Sequence, residues 1–351
     1  MASTSGGASK SFLLSMSAIP SIGRIVYRGK TEDGRGEEMP ELPEVETIRR
    51  GLSTLIVGKT VSGVHNYDSA KSFPNAPSDV QRFLVGASVV DVRRRAKVLL
   101  LDLSSGYTLV CHLKMTGQII IIRQTRVEQS NGGASPSLRW GAGHPNDSFV
   151  RELPDNTTRE HIDFTDGTRL FFNDLRKFGW MKLYPTSEVP NMPFMQKVGP
   201  EPLESYFTGD VLFERLQRRK NTSIKAALLD QTVLAGVGNI YADESLWMVR
   251  LHPATQVKNV PLEQVEALTT AVKSVMNLSI EKGGSTDKNY VNAEGKKGSY
   301  LSFANVFRRD GQPCPRCGTT ITKLRVAGRG THVCSTCQNP NHELAPSNKA
   351  R

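Results

Sequence analysis

The sequence has no long hydrophobic run and few cysteines, and each shortage excludes a class of protein. No apolar stretch reaches the roughly 18 residues that a membrane-spanning helix needs, so we expect no membrane partner. Of the 5 cysteines in 351 residues, Cys111 lies alone in an apolar run and the others lie near the C-terminus. A disulfide framework is typical of short secreted chains with cysteines throughout. The pattern therefore indicates a metal site and one core thiol.

Acidic residues are also in short supply relative to basic ones. Lys and Arg number 45 against 34 Asp and Glu, which gives a formal net charge of +11 at pH 7. This balance favours a polyanionic partner over a neutral small molecule, although a generically basic protein has the same composition. A chain of 351 residues has room for two domains.

Hydrophobic periodicity changes along the chain and predicts two kinds of structure. Residues 43–56 have the period of an amphipathic helix. Four apolar segments between residues 88 and 123, and a hairpin around Asp166-Gly167, predict a β-sandwich, with 124–158 as a long polar loop. After about residue 190 the period becomes helical and includes a helix over about 261–281.

The cysteines near the C-terminus have the spacing C-x2-C-x16-C-x2-C. Each pair places two sulfurs on one tight turn, and two pairs complete a tetrahedron with no open position. We therefore expect one structural zinc ion per chain and no organic cofactor. The four expected ligands are Cys314, Cys317, Cys334 and Cys337.

The segment MPELPE at residues 39–44 looks like the beginning of a protein, although 38 residues precede it. If the chain began at Pro40, that proline would carry a free secondary amine. An amino terminus titrates near about 8, so part of it is an uncharged nucleophile at neutral pH. Glu41 beside it and Glu44 one turn later are placed to move protons. A plain helix start with solvated glutamates is the alternative.

Residues 1–38 are rich in Ser and Gly and have no trustworthy helical or strand period. Three interpretations remain open for this segment: a transit-like peptide, a mis-assigned start and a genuine tail. If the chemistry at Pro40 requires a free nitrogen, the active form begins at that residue.

The segment MPELPEVETIRRGL resembles the N-terminus of the formamidopyrimidine-DNA glycosylases of the Fpg/Nei family. The likeness continues in order through RRAKVLLLDL, HLKMTGQ, LRKFGW, VGPEPL, IKAALLDQTVLAGVGNIYADESLW and the four cysteines. It implies a multidomain α+β protein with an N-terminal β-sandwich and flanking helices, then a helix-two-turn-helix domain and a zinc ribbon. The expected segments are 1–38, a disordered leader or mis-assigned start; 39–188, the catalytic sandwich; 189–300, the helix-two-turn-helix domain with a lesion-capping loop; 301–338, the zinc ribbon; and 339–351, a tail.

The resemblance also implies an activity in base excision repair. It predicts a bifunctional DNA glycosylase and abasic-site lyase that removes oxidised purines, namely 8-oxoguanine and formamidopyrimidines. Pro40 would attack C1′ of the damaged nucleotide and form a Schiff base, with Glu41 as proton donor, and β- and δ-elimination would follow. Lys97 in RRAK matches a lysine assigned to proton transfer and to phosphate or lesion contact, and Arg329 matches an arginine assigned to the later elimination. The expected catalytic residues are Pro40, Glu41, Glu44, Lys97 and Arg329.

Three further residues match the family set that fills the gap left by a flipped nucleotide. Met115 would be an apolar wedge, Arg176 would pair with the orphaned base, and Phe178 would stack. Without the resemblance, Met115 and Phe178 would more often be core residues.

Four more residues are expected to contact DNA. Lys225 and Asn239 match phosphate contacts, the latter at a helix start where N–H groups favour an anion. Lys177 stands where the family often has a second arginine, and Arg159 lies nearest to a DNA-contacting histidine of the family. The expected partner is double-stranded DNA with oxidised bases or abasic sites, bound by a monomer.

Two alternatives differ from this hypothesis in substrate or in chemistry. The first is the same reaction on oxidised pyrimidines, as in the endonuclease VIII branch. The second is a catalytically silent damaged-DNA-binding protein, because a retained leader makes the Pro40 nitrogen an amide. The expected location is cytoplasmic and nucleoid-associated, with import into an organelle if residues 1–38 are a transit peptide.

Overall fold

The computed structural model describes residues 40–67, 71–124, 137–144, 147–285 and 299–339. The expected leader, most of the expected lesion-capping loop and most of the expected tail lie outside these residues. Among the residues that are described, none of the helices has both the length and the apolar character that crossing a membrane requires.

The chain begins with a helix and strands, and helices then dominate until a final pair of strands. The helices are α1 Leu42–Ile56, α2 Pro77–Phe83, α3 Pro193–Lys197, α4 Gly209–Gln217, α5 Ile224–Leu229, α6 Asn239–Met248 and α7 Leu262–Glu281. The strands are β1 Val61–Asn66, β2 Val89–Arg95, β3 Val98–Leu103, β4 Tyr107–His112, β5 Gly117–Gln124, β6 Ser137–Gly143, β7 Thr158–Phe164, β8 Thr168–Asp174, β9 Trp180–Pro185, β10 Thr322–Val326 and β11 Arg329–Val333.

Two antiparallel sheets and α1 share the first hydrophobic core. One sheet has the strand order β1-β7-β8-β5-β6 and the other β2-β3-β4-β9. Alternate residues of each strand face inward, as the period of two requires. The buried stripe of α1 packs among them through Val45, Ile48 and Leu52. The predicted β-sandwich with a flanking helix is confirmed.

The prediction of one long loop over 124–158 is wrong for the central residues 137–143, which form a strand. Residues Ser137–Gly143 form β6, which pairs with β5 from Gln118 to Gln124. The segment has few apolar residues because β6 lies at the edge of its sheet. Trp140 supplies the buried contact, and a Cβ on Gly51 of α1 would lie only 2.4 Å from its ring. The strand is therefore held by one large side chain and by backbone pairing.

The helices from α4 onward enclose a second core. Its members include Leu212 of α4, Leu228 of α5, Leu246 of α6 and Val272 of α7. Leu42, the first residue of α1, also belongs to it, and its N–H donates to the Gly236 carbonyl at 3.0 Å. The N-terminal end of α1 therefore lies against the helical core, which brings Glu41 and Leu42 to the turn before α6.

Candidate active site

Pro40 and Glu41 lie at the turn that begins α1. Pro40 is partly exposed, whereas Glu41 is buried. Glu41 is the N-cap of α1, and its N–H donates to Glu44 Oε2 at 3.0 Å in a capping box. The spacing of the two glutamates is therefore explained by helix capping as well as by catalysis. The contacts that each carboxylate makes distinguish a capping role from a catalytic one.

The Glu41 carboxylate lies at the N-terminus of α6, far away in sequence. Ile240 N–H donates to Glu41 Oε1 at 3.1 Å. Gly238, the N-cap of α6, leaves room for this contact, because a Cβ there would lie 2.3 Å from Glu41 Cδ. The N-terminal end of a helix favours a negative charge. The GVGN turn thus holds the carboxylate beside Pro40.

Glu44 joins four segments of the chain. Besides the N–H of Glu41, its carboxylate accepts from the Tyr241 hydroxyl at 2.6 Å and from the Ser285 N–H at 2.8 Å. The Tyr241 oxygen also lies 2.6 Å from Ser279 Oγ on α7. Burial, followed by the nearby carboxylates, raises the pKa of Tyr241 well above its usual value, so its phenol is a neutral donor. Glu44 therefore links the Pro40 turn to α6, to α7 and to the segment after α7.

Lys97 lies in the turn between β2 and β3 and is buried. Burial lowers the pKa of its ammonium, and the carboxylates of Glu41 and Glu44 act in the opposite direction. The guanidinium of Arg329, at the exposed start of β11, adds to the lowering. The charges of Glu41, Glu44 and Arg329 are therefore near enough to act on the buried ammonium of Lys97.

Sequence reasoning missed the residue that fixes the Lys97 turn. Glu201 is buried, and one of its carboxylate oxygens accepts from the Ala96 N–H at 2.5 Å and from Arg95 at 2.8 Å. The other oxygen accepts from Arg94 at 2.8 Å. The VGPEPL segment was used for the resemblance, but nothing in its composition indicates a partner more than 100 residues away.

Met115, Arg176 and Phe178 lie together on two neighbouring loops. Arg176 Nη1 lies 3.3 Å from Met115 Sδ, and its Cζ lies 5.1 Å from the centroid of the Phe178 ring. Phe178 is 55% exposed, far more than a core aromatic residue would be. An apolar side chain, a cation and an aromatic ring therefore stand at one exposed place, as the void-filling expectation requires.

Asp174 holds these loops in place, and it too was missed. This buried carboxylate accepts from the N–H of Arg176 at 3.2 Å and from the N–H of Gly179 at 2.6 Å, and it also accepts from the Thr116 hydroxyl. Its position directly before LRKFG was the available signal, since Asp often accepts N–H groups of the turn that follows it. Both loops therefore depend on one carboxylate.

Two of the residues expected to contact DNA, Lys225 and Arg159, are buried in the structure. Lys225 is fully buried, and its Nζ lies 2.6 Å from Asp243 Oδ1 and 2.7 Å from Thr331 Oγ1. Arg159 is 5% exposed, and its Nε donates to the Asp174 carbonyl at 2.9 Å. Neither cation is presented to a ligand, because each is held inside the protein. Lys225 joins α5 and α6 to β11, and Arg159 supports the loop that carries Arg176.

Asn239 and Lys177 are at accessible positions. Asn239 is partly exposed in the first turn of α6, and its Oδ1 has no partner within the part of the chain that the structure describes. Lys177 is exposed between Arg176 and Phe178 and has a φ of 60°. The expected DNA contacts of these residues remain predictions.

The four cysteines converge as the spacing predicts. Their sulfurs lie within 4.8 Å of one another, with Cys314 and Cys337 Sγ atoms 4.0 Å apart and those of Cys317 and Cys334 3.4 Å apart. A tetrahedral zinc with bonds of about 2.3 Å sets its sulfurs about 3.8 Å apart, so the geometry fits one ion. Trp247 Nε1, near the end of α6, donates to Cys314 Sγ at 3.4 Å. The site is closed and structural.

The chain thus has a sheet domain, a helical domain that contacts the N-terminal turn of the sheet domain, and a four-cysteine ribbon. Three family models match it. They are the formamidopyrimidine-DNA glycosylase N-terminal domain over residues 39–181, the H2TH domain of the same enzymes over 198–290, and the zinc finger found in FPG and IleRS over 311–340. The fold and the domain order therefore define the class of protein as one with the domain arrangement of the formamidopyrimidine-DNA glycosylases.

Individual proteins agree with these models. A formamidopyrimidine-DNA glycosylase of Halalkalibacterium halodurans is 39% identical over 303 residues, which is 86% of this chain and 100% of the relative. That of Chloroflexus aurantiacus is 38% identical over 86% of this chain and 98% of its own length. The chain belongs to the formamidopyrimidine-DNA glycosylase family.

Solved structures give the same result. The crystal structure of a Lactococcus lactis FPG mutant in complex with Fapy-dG-containing DNA is 29% identical, with a TM-score of 0.71, and covers 86% of this chain and 100% of its own. MutM of Thermus thermophilus is 34% identical, with a TM-score of 0.69 over 85% of this chain and 98% of its own.

Proposed function

We propose that this protein is a bifunctional DNA glycosylase and abasic-site lyase that removes 8-oxoguanine and formamidopyrimidines from double-stranded DNA. The observation that carries the proposal is the turn that holds Pro40, where Glu41 is hydrogen-bonded to Glu44 and to the start of α6, and both carboxylates, with Arg329, act on the charge of the buried Lys97. Family membership supports the glycosylase step, because the relatives are named formamidopyrimidine-DNA glycosylases.

The reaction begins at the Pro40 nitrogen. As a free secondary amine, it adds to C1′ of the damaged nucleotide, and the base leaves with a proton supplied through Glu41. The C1′–O4′ bond then opens, with a proton supplied to O4′ through Glu41, and an iminium forms between C1′ and the Pro40 nitrogen. The iminium acidifies the C2′ hydrogen, so that its loss as a proton expels the 3′ phosphate by β-elimination. A second elimination on the 5′ side releases the other phosphate, for which Arg329 is the exposed cation.

This chemistry requires the chain to begin at Pro40. While Met39 is attached, the Pro40 nitrogen is an amide without a nucleophilic lone pair, so a chain that keeps residues 1–39 would bind damaged DNA without cutting it. Removal of these residues, which lie outside the described part of the chain, is therefore part of the proposal.

The exposed trio of Met115, Arg176 and Phe178 supplies the second requirement of the reaction. A base must leave the stack before its sugar can be attacked, at a cost of about a few kcal/mol. Inserting Met115 and stacking Phe178 against the remaining bases offsets part of that cost, and Arg176 pairs with the orphaned base. This trio favours the oxidised-purine branch over the endonuclease VIII branch.

The location follows from the substrate. We place the protein with the DNA that it repairs, in a nucleoid-associated cytoplasmic pool. Import into an organelle is the alternative if residues 1–38 serve as a transit peptide.

Matched duplex oligonucleotides test the function. The chain that begins at Pro40 is incubated with duplexes containing 8-oxoguanine, an oxidised pyrimidine or an undamaged base at the same position. We expect cleavage of the 8-oxoguanine duplex with phosphate at both new ends, as β- and δ-elimination leave. Preference for the oxidised pyrimidine would reassign the substrate, and binding without cleavage of any duplex would leave only the silent DNA-binding alternative.

A further inference from the structure

A second group of metal-ligating side chains lies on the five-stranded sheet, apart from the cysteines. His65 of β1 and His161 of β7 are direct partners across the two antiparallel strands. Asp163 follows His161 by two residues and so lies on the same face of β7. One ligand atom of each residue lies within 4.8 Å of the others. Two imidazoles and a carboxylate therefore meet at one point of the sheet.

The carboxylate of Asp163 bridges the Nε2 atoms of the two rings. Asp163 Oδ2 is 2.9 Å from His65 Nε2, and Asp163 Oδ1 is 2.8 Å from His161 Nε2. The two rings are stacked, with centroids 4.8 Å apart. A transition-metal ion bonds imidazole nitrogen and carboxylate oxygen at about 2.0–2.2 Å, so an ion can replace the two bridging hydrogens after small side-chain rotations.

Neighbouring residues leave room for an ion and hold one ring. Gly63 is the register partner of Asp163, and a Cβ there would lie 3.6 Å from Asp163 Oδ2 and 3.7 Å from His65 Nε2. Glycine thus keeps the space beside the ligand atoms open. The Tyr67 hydroxyl lies 3.4 Å from His161 Nδ1, the position from which outer partners orient a metal-binding imidazole.

We propose that His65, His161 and Asp163 form an accessory site for one divalent transition-metal ion, of which Zn²⁺ is the representative. Two imidazoles and one carboxylate suit zinc and its neighbours better than Mg²⁺ or Ca²⁺, which prefer oxygen ligands. His65 has a half-exposed side chain, so the remaining coordination positions face solvent. The site is open, in contrast to the closed four-cysteine site.

The ion would join an edge strand to the interior of its sheet. Within the described part of the chain, β1 is the terminal strand of the order β1-β7-β8-β5-β6, and its neighbour in the sheet is β7. A ligand that binds the folded state but not the unfolded one stabilises the protein by mass action, by about 2.7 kcal/mol at 100 times the dissociation constant. Reversible binding of the ion therefore stabilises the pairing of β1 with β7.

Zinc stoichiometry tests the site independently of DNA repair. The full chain, with its cysteine site loaded, is dialysed against excess free Zn²⁺, and bound zinc per chain is measured by elemental analysis. We expect two equivalents for the wild type and one for His65→Gln, which removes an exposed ligand without disturbing the core. His252→Gln, a partly exposed histidine outside the cluster, is the matched control and should keep two equivalents.

Asp163→Asn is the second variant and should also lose one equivalent, with a melting curve in zinc-free buffer that establishes folding. One equivalent in the wild type would overturn the proposal. So would an undiminished second equivalent in both His65→Gln and Asp163→Asn, because the ion would then lie elsewhere.

Discussion

Glu41 is the residue in which structural and chemical roles are easiest to separate. Its carboxylate accepts the Ile240 N–H at 3.1 Å, and its own N–H donates to Glu44. A glutamine in its place keeps an oxygen acceptor of the same shape. The change therefore removes the group that can carry and release a proton while the contact with α6 is retained.

We expect Glu41→Gln to lower the rate of base excision from an 8-oxoguanine duplex by about 100-fold or more, the range typical of a lost general acid. Cleavage of a duplex that already contains an abasic site should fall much less, because no base has to leave. Glu263→Gln, at the exposed start of α7, is the control. Equal losses on both substrates would contradict a proton-donor role for Glu41.

Lys114 shows backbone strain beside the wedge residue. It has a φ of 53°, in the left-handed region that costs a residue with a Cβ about 1–2 kcal/mol. Lys177, in the loop that carries Arg176 and Phe178, also has a positive φ, of 60°, so both loops of the void-filling trio contain a residue in the left-handed region.

Lys114→Gly and Lys114→Ala form a matched pair, because both remove the ammonium and only one keeps the Cβ. We expect the glycine variant to have a free energy of unfolding about 1 kcal/mol above that of the alanine variant, measured by urea denaturation. Equal stability would show that the loop relaxes and stores no strain.

At the scale of elements, the turn between β2 and β3 depends on Glu201. Arg94 is 9% exposed and Glu201 8% exposed in their side chains, so this ion pair is largely shielded from solvent. Burial alone would raise the pKa of Glu201, but Arg94 and the N–H of Ala96 outweigh it and lower that pKa. The contact therefore stabilises the fold above the unfolded-state pKa and is lost as pH falls through the lower folded-state pKa.

We expect Glu201→Gln to lower the free energy of unfolding by about 3 kcal/mol at pH 7, because it leaves two arginines without their shared carboxylate. The loss should shrink as pH falls, since the wild-type carboxylate is then protonated as well. Glu204→Gln, an exposed glutamate in the same segment, is the control for thermal or chemical denaturation. A difference that stays constant between pH 7 and pH 3 would contradict this account.

Periodic elements could be predicted from the sequence, and long-range pairings could not. The β-sandwich strands follow the period of two, and α1 and α7 follow the helical period. β6 was missed because Trp140 is its one large apolar anchor. The burial of Lys225 could not be predicted because its partners, Asp243 and Thr331, lie in other segments. Local motifs indicated the candidate site residues, whereas Glu201 and Asp174 were missed because their roles depend on tertiary contacts.

At the scale of the whole molecule, α6 connects the proposed catalytic centre to the zinc ribbon. Its N-terminus holds the Glu41 carboxylate, and Asp243 in its middle accepts the His332 N–H of β11 at 2.9 Å. Near its end, Trp247 contacts Cys314, and Arg316 donates to the Trp247 carbonyl at 3.0 Å. One helix thus sets the position of β11, and with it Arg329, relative to the Pro40 turn.

The net charge of +11 predicts the ionic-strength dependence of DNA binding. Each phosphate neutralised contributes a slope of about −0.9 to the plot of log affinity against log salt, so binding should weaken steeply between roughly 50 and 200 mM salt. Lys177→Ala should reduce the slope by about 1. Lys273→Ala, whose ammonium donates to the Glu204 carbonyl, should leave it unchanged. A flat response for the wild type would exclude phosphate contacts as the main source of affinity.

The central claim is that the Pro40 nitrogen is the nucleophile, and borohydride reduction during turnover tests it most directly. Reduction converts a Schiff base into a stable amine, and peptide mass analysis of the trapped complex then locates the bonded residue. We predict a DNA adduct on Pro40 in the chain that begins there, and none in the chain that retains residues 1–39. An adduct on Lys97 or another lysine, or no adduct with the chain that begins at Pro40, would contradict the account.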